Sequence, residues 1–200
     1  IFGQYSSENA REYFDKEERT LNPDQTKILA ELDVPIEEYW AYRDELNEFN
    51  ALKDELYEAS RADDATSVDV LKNSYIYNVS KEIDDLYKQQ KEYANGTSLL
   101  KSGKIKEIQK QMEQKIADSK KALSDAYVSG YYAEIGGKRF DYNDSNGKWY
   151  EISGNYLKRE QKAVNRYDIT PEQYWNNTEL YSKANEYFDG LYSKDGWEYV

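Results

Sequence analysis

The chain has 200 residues and a net charge of −12, with 39 acids against 27 bases. It has no cysteine and no histidine, which excludes disulfides, thiolate or imidazole metal sites, and Ser-His-Asp or Cys-His catalysis within the chain. The acidic balance argues against a phosphate-neutralising surface, so no nucleic-acid partner is expected.

Aromatic residues dominate the apolar inventory, with 21 tyrosines, 5 phenylalanines and 4 tryptophans. The core must be built largely from rings, each with a hydroxyl or indole N–H that needs a partner. The same residue types are enriched at protein interfaces. No apolar run approaches the ~20 residues that span a bilayer, so no membrane span is expected. Ile1 stands where a start Met would, which suggests a piece of a longer protein or a processed product.

The first element is announced by Asn22-Pro23-Asp24-Gln25: a capping residue, Pro at the first helical position, an acid, then an amide to return the bond. A short helix to about Leu32 follows. Ile36, Tyr39, Trp40, Leu46, Phe49, Leu52 and Leu56 mark one side of a second helix over 36–60. The polar break "ADDATS" ends it, and Thr66 with Asp69 three residues on predicts the next cap. Val68, Leu71, Tyr75, Val79, Ile83, Leu86, Gln90 and Tyr93 recur every three or four residues and predict a helix over 67–94. Asn95-Gly96 suits a left-handed cap. From 104 to 127, Ile105, Ile108, Met112, Ile116 and Leu123 form a narrow stripe. Such a stripe favours antiparallel packing against 67–94 as a long helical hairpin.

The period then changes. "YYAEIGGKRFDYNDSNGKWYEIS" alternates and predicts three short strands, 131–135, 138–142 and 148–152, joined by Gly136-Gly137 and by the looser "NDSNG" turn. Next, "NYLKREQKAVNRY" reads as helical. Thr170-Pro171-Glu172-Gln173 opens a last helix, to about Phe188. The expected fold is mainly α: a helical bundle with a long antiparallel hairpin at 67–127 and a small three-stranded β-meander. The expected division is 1–130 and 131–200, packed as one unit.

One phrase is written twice. "DVPIEEYW" from Asp33 and "DITPEQYW" from Asp168 align Glu37 with Glu172, Tyr39 with Tyr174 and Trp40 with Trp175. First-turn acids suit the positive end of a helix dipole, and Tyr-Trp then docks that end onto the core. The alternative is an exposed aromatic patch that recognises a partner. Tyr39, Trp40, Tyr174, Trp175, Trp149 and Tyr150 are the candidate interaction or anchor residues. Each of the two tryptophans in the phrase is expected to be substantially buried.

Other motifs carry less. "DYNDSNGKWYEI" places oxygens at Asp141, Asn143 and Ser145 like a calcium loop, but has Asn146 where Gly is needed and Ile152 where Glu is needed. Neighbouring acids such as Glu37/Glu38, Asp63/Asp64 and Asp84/Asp85 point in different directions on a helix, whereas a glycosidase needs two across a cleft. There is no phosphate-cradling glycine motif. No catalytic residue, metal or cofactor is expected.

"LDVPIEEYWAYRDELNEFNALKDE", the helical hairpin, "YAEIGGKRFDYNDSNGKWYEI" and "YDITPEQYWNNTEL" together resemble the C-terminal regions of very large proteins of phages and prophages of Gram-positive gut bacteria. These are tail tape-measure-like or virion-associated proteins and mobile-element polyproteins. The resemblance spans roughly residues 20 to 190 and matches no catalytic motif. It differs at Asp33 and Asp168, where such phrases often have Gly. It implies a non-catalytic structural or assembly module, located in the virion or host cytoplasm. Its partners would be protein: the rest of a parent chain, virion components or self. The alternative expectation is an acidic helical binding or inhibitor module, a decoy for a basic partner.

Overall fold

The computed structural model describes residues 19–97, 99–155 and 158–164. Among the described residues four helices, α1 (Pro23–Glu31), α2 (Ile36–Arg61), α3 (Ser67–Asn95) and α4 (Lys101–Ser124), precede five strands. These are β1 (Tyr127–Ser129), β2 (Tyr132–Ile135), β3 (Lys138–Asn143), β4 (Lys148–Asn155) and β5 (Lys158–Ala163). The described residues are thus mostly helical with one antiparallel sheet. It divides into two compact units, the first formed by described residues of 19–55 and 78–120, the second by those of 56–77 and 121–164.

In the first unit, α1 begins as its residues dictate. The Asn22 side chain accepts from Gln25 N–H at 2.8 Å, and the Gln25 side chain accepts from Asn22 N–H at 3.0 Å. That reciprocal pair satisfies two donors a helix start leaves open. The helix ends on Asp33, at φ 54°. Asp33 N–H donates to Ala30 O at 3.1 Å and Val34 N–H to Leu29 O at 2.9 Å, the paired bonds of a left-handed Schellman stop. Asp33 therefore closes α1 from the position usually given to Gly; it does not charge the first turn of α2, where Glu37 and Glu38 sit.

Leu29, Leu32, Tyr39, Tyr42, Leu46, Phe49, Ile83, Ile105, Ile108, Met112 and Ile116 are the buried apolar residues of this unit. Lys115 meets Glu82 at 2.6 Å, and Gln90 donates to Ile105 O at 3.2 Å. As residue numbers rise on α4 they fall on α3, so the two form the expected antiparallel hairpin. Lys106 donates to Asp33 O at 3.1 Å and Lys120 meets Glu45 and Glu48 at 2.8 and 2.6 Å, so α2 runs parallel to α4. The narrow stripe on α4 works because these polar contacts flank it.

The second unit is built around the sheet, whose strand order is β1-β2-β3-β4-β5. Ala133, Ile135, Phe140, Tyr142 and Trp149 from one face pack with Leu71 of α3. Trp149 is fully buried, and its indole N–H donates to Ser67 O at 2.7 Å. Thr66 and Asp69 make the expected cap of α3, with Thr66 N–H donating to the Asp69 carboxylate at 2.8 Å. Gly136 and Gly137 have φ of 59° and 75°, the pair of positive values a two-residue type I′ hairpin needs. At Gly136 a Cβ would lie 2.5 Å from the Tyr75 hydroxyl.

Four expectations are corrected. The sheet has five strands, not three. Residues 158–163 form β5 and not a helix: "KREQKA" has good helix formers, but pairing with β4 along Tyr150↔Ala163 to Asn155↔Lys158 overrides propensity. Helix α4 stops at Ser124 and not 127, because Tyr127–Ser129 pairs with β2. Gly96 is not among the positive-φ residues, so Asn95-Gly96 closes α3 by a tight turn from Gly96 N–H to Tyr93 O, 3.2 Å. The expected helix over 171–188 lies outside the described residues.

Candidate functional site

Strand alternation sends the residues that are not in the sheet's core to its other face. The registers place them in two rows. One row is Ser129, Tyr132, Asp141, Tyr150 and Ala163; the other is Tyr127, Glu134, Arg139, Ile152 and Gln161. This outer face joins three tyrosines and an isoleucine on a rigid support. Tyr127 is 54% exposed, and Tyr132, Tyr150 and Ile152 are half-buried. Tyr127 and Tyr132 meet edge to face, with centroids 6.4 Å apart.

Both acids on the face have partners. Arg159 ion-pairs with Asp141 across β4, and the Tyr132 hydroxyl donates to Glu134. That bond to Glu134, above all, raises the pKa of the Tyr132 hydroxyl. Tyr150 O accepts from the Asn146 side chain at 2.9 Å, which ties its ring to the β3–β4 turn. The result is a tyrosine-rich surface without large net charge, the composition of a protein contact.

The oxygens that suggested a calcium loop build the turn instead. Asn143 Oδ1 accepts from Ser145 N–H at 3.0 Å, and Asn146 Oδ1 from Lys148 N–H at 3.1 Å. Among the described residues no group of three His, Cys, Asp or Glu side chains is placed to hold a metal. Among the described residues one carboxyl has a raised pKa through burial, Asp84 of α3, with Lys53 and Lys88 nearby opposing the shift. The carboxylate among its influences is the adjacent Asp85, not the facing acid that two-carboxylate hydrolysis requires. Tyr42 is a buried perturbed group in the helical unit. Burial pushes its hydroxyl up to about 12, and it bonds to Gln109.

The six sequence-derived candidates separate. Tyr39 is buried and Trp40 half-buried, with rings edge to face at 5.1 Å and the Arg19 guanidinium 5.5 Å from the Trp40 ring centroid. Arg19 also grips Asp44 with two bonds of 2.9 Å. These residues anchor the start of α2. Trp149 lies inside the second unit, whereas its neighbour Tyr150 lies on the outer face. Tyr174 and Trp175 lie outside the described residues. Tyr127 and Tyr132 were not singled out from the sequence, although the alternation in "YYAEI" carried part of the signal. No protein family, curated protein or solved structure matches the chain. No described helix is long and apolar enough to cross a membrane.

Proposed function

We propose that the chain is a non-catalytic structural or assembly module that works through protein–protein contacts, within a phage or prophage virion-associated protein. The observation that carries the contact role is the outer face of the sheet. Tyr127, Tyr132, Tyr150 and Ile152 stand together there, with Asp141 paired to Arg159 and Glu134 bonded to the Tyr132 hydroxyl. Such a surface buries aromatic area on docking. The phage context rests on the duplicated "EYW" and "QYW" phrases and the hairpin sequence, "YAEIGGKRFDYNDSNGKWYEI".

The decoy reading has less support. A phosphate mimic needs carboxylates free to meet a basic partner. Here Asp44, Glu45, Glu48 and Glu82 are engaged by Arg19, Lys120 and Lys115.

The test is to induce particles from a host that carries the gene, and to look for the chain in purified virions by mass spectrometry. A photo-crosslinking residue at Tyr127 should join the chain to another protein, and one at Tyr39 should not. Absence of the chain from the particles overturns the virion reading. Equal cross-linking from both positions overturns the assignment of the outer face.

A further inference from the structure

The sheet ends on β5, whose six residues, Lys158 to Ala163, are all exposed. Among the described residues no strand lies on its far side. Which backbone groups that edge offers follows from the ladder. Val164 N–H donates to Trp149 O at 3.0 Å, so Val164 points its backbone groups at β4. The alternation of an antiparallel pair then turns Lys162, Glu160 and Lys158 inward to β4. Arg159, Gln161 and Ala163 turn their N–H and C=O groups outward.

We infer that this edge pairs with the same edge of a second copy, joining two sheets about a two-fold axis that passes beside Gln161. An antiparallel pair can bond only where outward residues face outward residues. Centred on Gln161, Gln161 meets its own copy, Arg159 meets Ala163, and Glu160 stands directly opposite Lys162, twice. Every opposed pair is then neutral or of opposite charge. A slip of two residues one way sets Lys158 against Lys162 and Glu160 against itself. A slip the other way sets Lys162 against itself. Like charges directly opposite destabilise a strand pair, and opposite charges stabilise it. The charge order of β5 thus selects one register of self-pairing. The Glu160 and Lys162 side chains are exposed, so both can meet a partner.

Charged residues on an edge strand often serve to prevent pairing. A blocking edge needs only like charges, and a basic strand would suffice. Placing Glu160 two residues before Lys162 on the same side gives a self-complementary pattern, the requirement of an isologous interface. The contact is one strand long, below the area of a stable obligate dimer, so association is weak and concentration-dependent.

Sedimentation velocity over a concentration series on the 200-residue chain tests this. The unaltered chain should show a reversible dimer. Glu160→Lys and Lys162→Glu should each weaken it about tenfold or more. An equimolar mixture of the two variants should restore association, as should the double exchange in one chain. Gln161→Pro should abolish it while sparing β4 pairing, since its N–H points away from β4. On dimerisation the amides of Arg159, Gln161 and Ala163 should gain protection from exchange. A chain that stays monomeric to about 1 mM, or variants that associate like the parent, overturn the inference. Binding of an acidic peptide at this edge without self-association would also overturn it. The inference stands apart from the virion assignment: a dimer with no place in a particle would sink only the latter.

Discussion

Both units bury side-chain amides, and they treat them in opposite ways. In the helical unit Gln90 donates to Gln109 Oε1 at 3.1 Å and to Ile105 O at 3.2 Å. Gln109 in turn bonds Tyr42. The pair fixes how α3 lies along α4, because a one-turn slip would leave several buried polar groups without partners. In the sheet unit Asn73 is fully buried, and neither its oxygen nor its nitrogen meets a protein partner. Register there comes from elsewhere: from the glycine turns, and from the Trp149 indole held on Ser67 O. A helical hairpin with a narrow aliphatic stripe can slide, so it needs a polar pin. A sheet whose strands are joined by loops of two to four residues cannot, so it does not depend on one.

The heaviest blow to this contrast is Trp149→Ala. It removes the central ring of the sheet core and its bond to Ser67, and should cost about 3–5 kcal/mol. Near-ultraviolet circular dichroism should lose the sheet-unit signal while the far-ultraviolet helical signal of the first unit persists. A single cooperative loss of both would show that the units do not fold separately. Gly154→Ala comes next. Gly154 has φ +84°, and a Cβ there would lie 1.8 Å from Lys158 O. A left-handed position of this kind costs a side chain about 1–3 kcal/mol, and hydrogen exchange should show β5 released from β4.

The amides then test the comparison directly. Gln90→Leu should destabilise by about 1–2 kcal/mol, since it strands the partners of a buried amide. Asn73→Leu should be neutral or stabilising, by up to about 1 kcal/mol, because it removes a polar group that has no partner to lose. Thermal melts in which both substitutions have the same sign would break the contrast. The smallest effect is at Asp84. Burial raises its folded pKa, so the fold favours the protonated form. The stability tied to it is full below the ordinary carboxyl value, 3.8, and falls as pH rises through the folded value. Asp84→Asn should therefore gain slightly at neutral pH and nothing at pH 3. A loss at neutral pH would show that Lys53 and Lys88 outweigh the burial.

The stripe Ile105, Ile108, Met112 and Ile116 was readable because a helix repeats its environment every three or four residues. The Asn22–Gln25 and Gly136–Gly137 signals were readable because each needs only its own backbone. β5 was not readable: Lys158–Ala163 is exposed on both faces, so it carries no hydrophobic alternation and its helix-forming residues point the wrong way. Tyr127 was lost for a related reason, being one more aromatic at the end of a helical pattern. The candidate face was half legible. Tyr150 was named, but beside Trp149, and alternation sends that neighbour to the opposite side.

The sequence by itself determined the four described helices, the caps at Asn22 and Thr66 and the Gly136-Gly137 turn, because those depend on residues within a few positions of one another. It also excluded cysteine and histidine chemistry. The tertiary structure decided that Asp33 ends one helix and does not begin the next. It decided that Trp149 is core while Tyr150 is surface, and that a polar, helix-favouring segment becomes an edge strand. Each of these depends on which distant partner a residue meets, and a strand acquires its faces only when another strand sets its register.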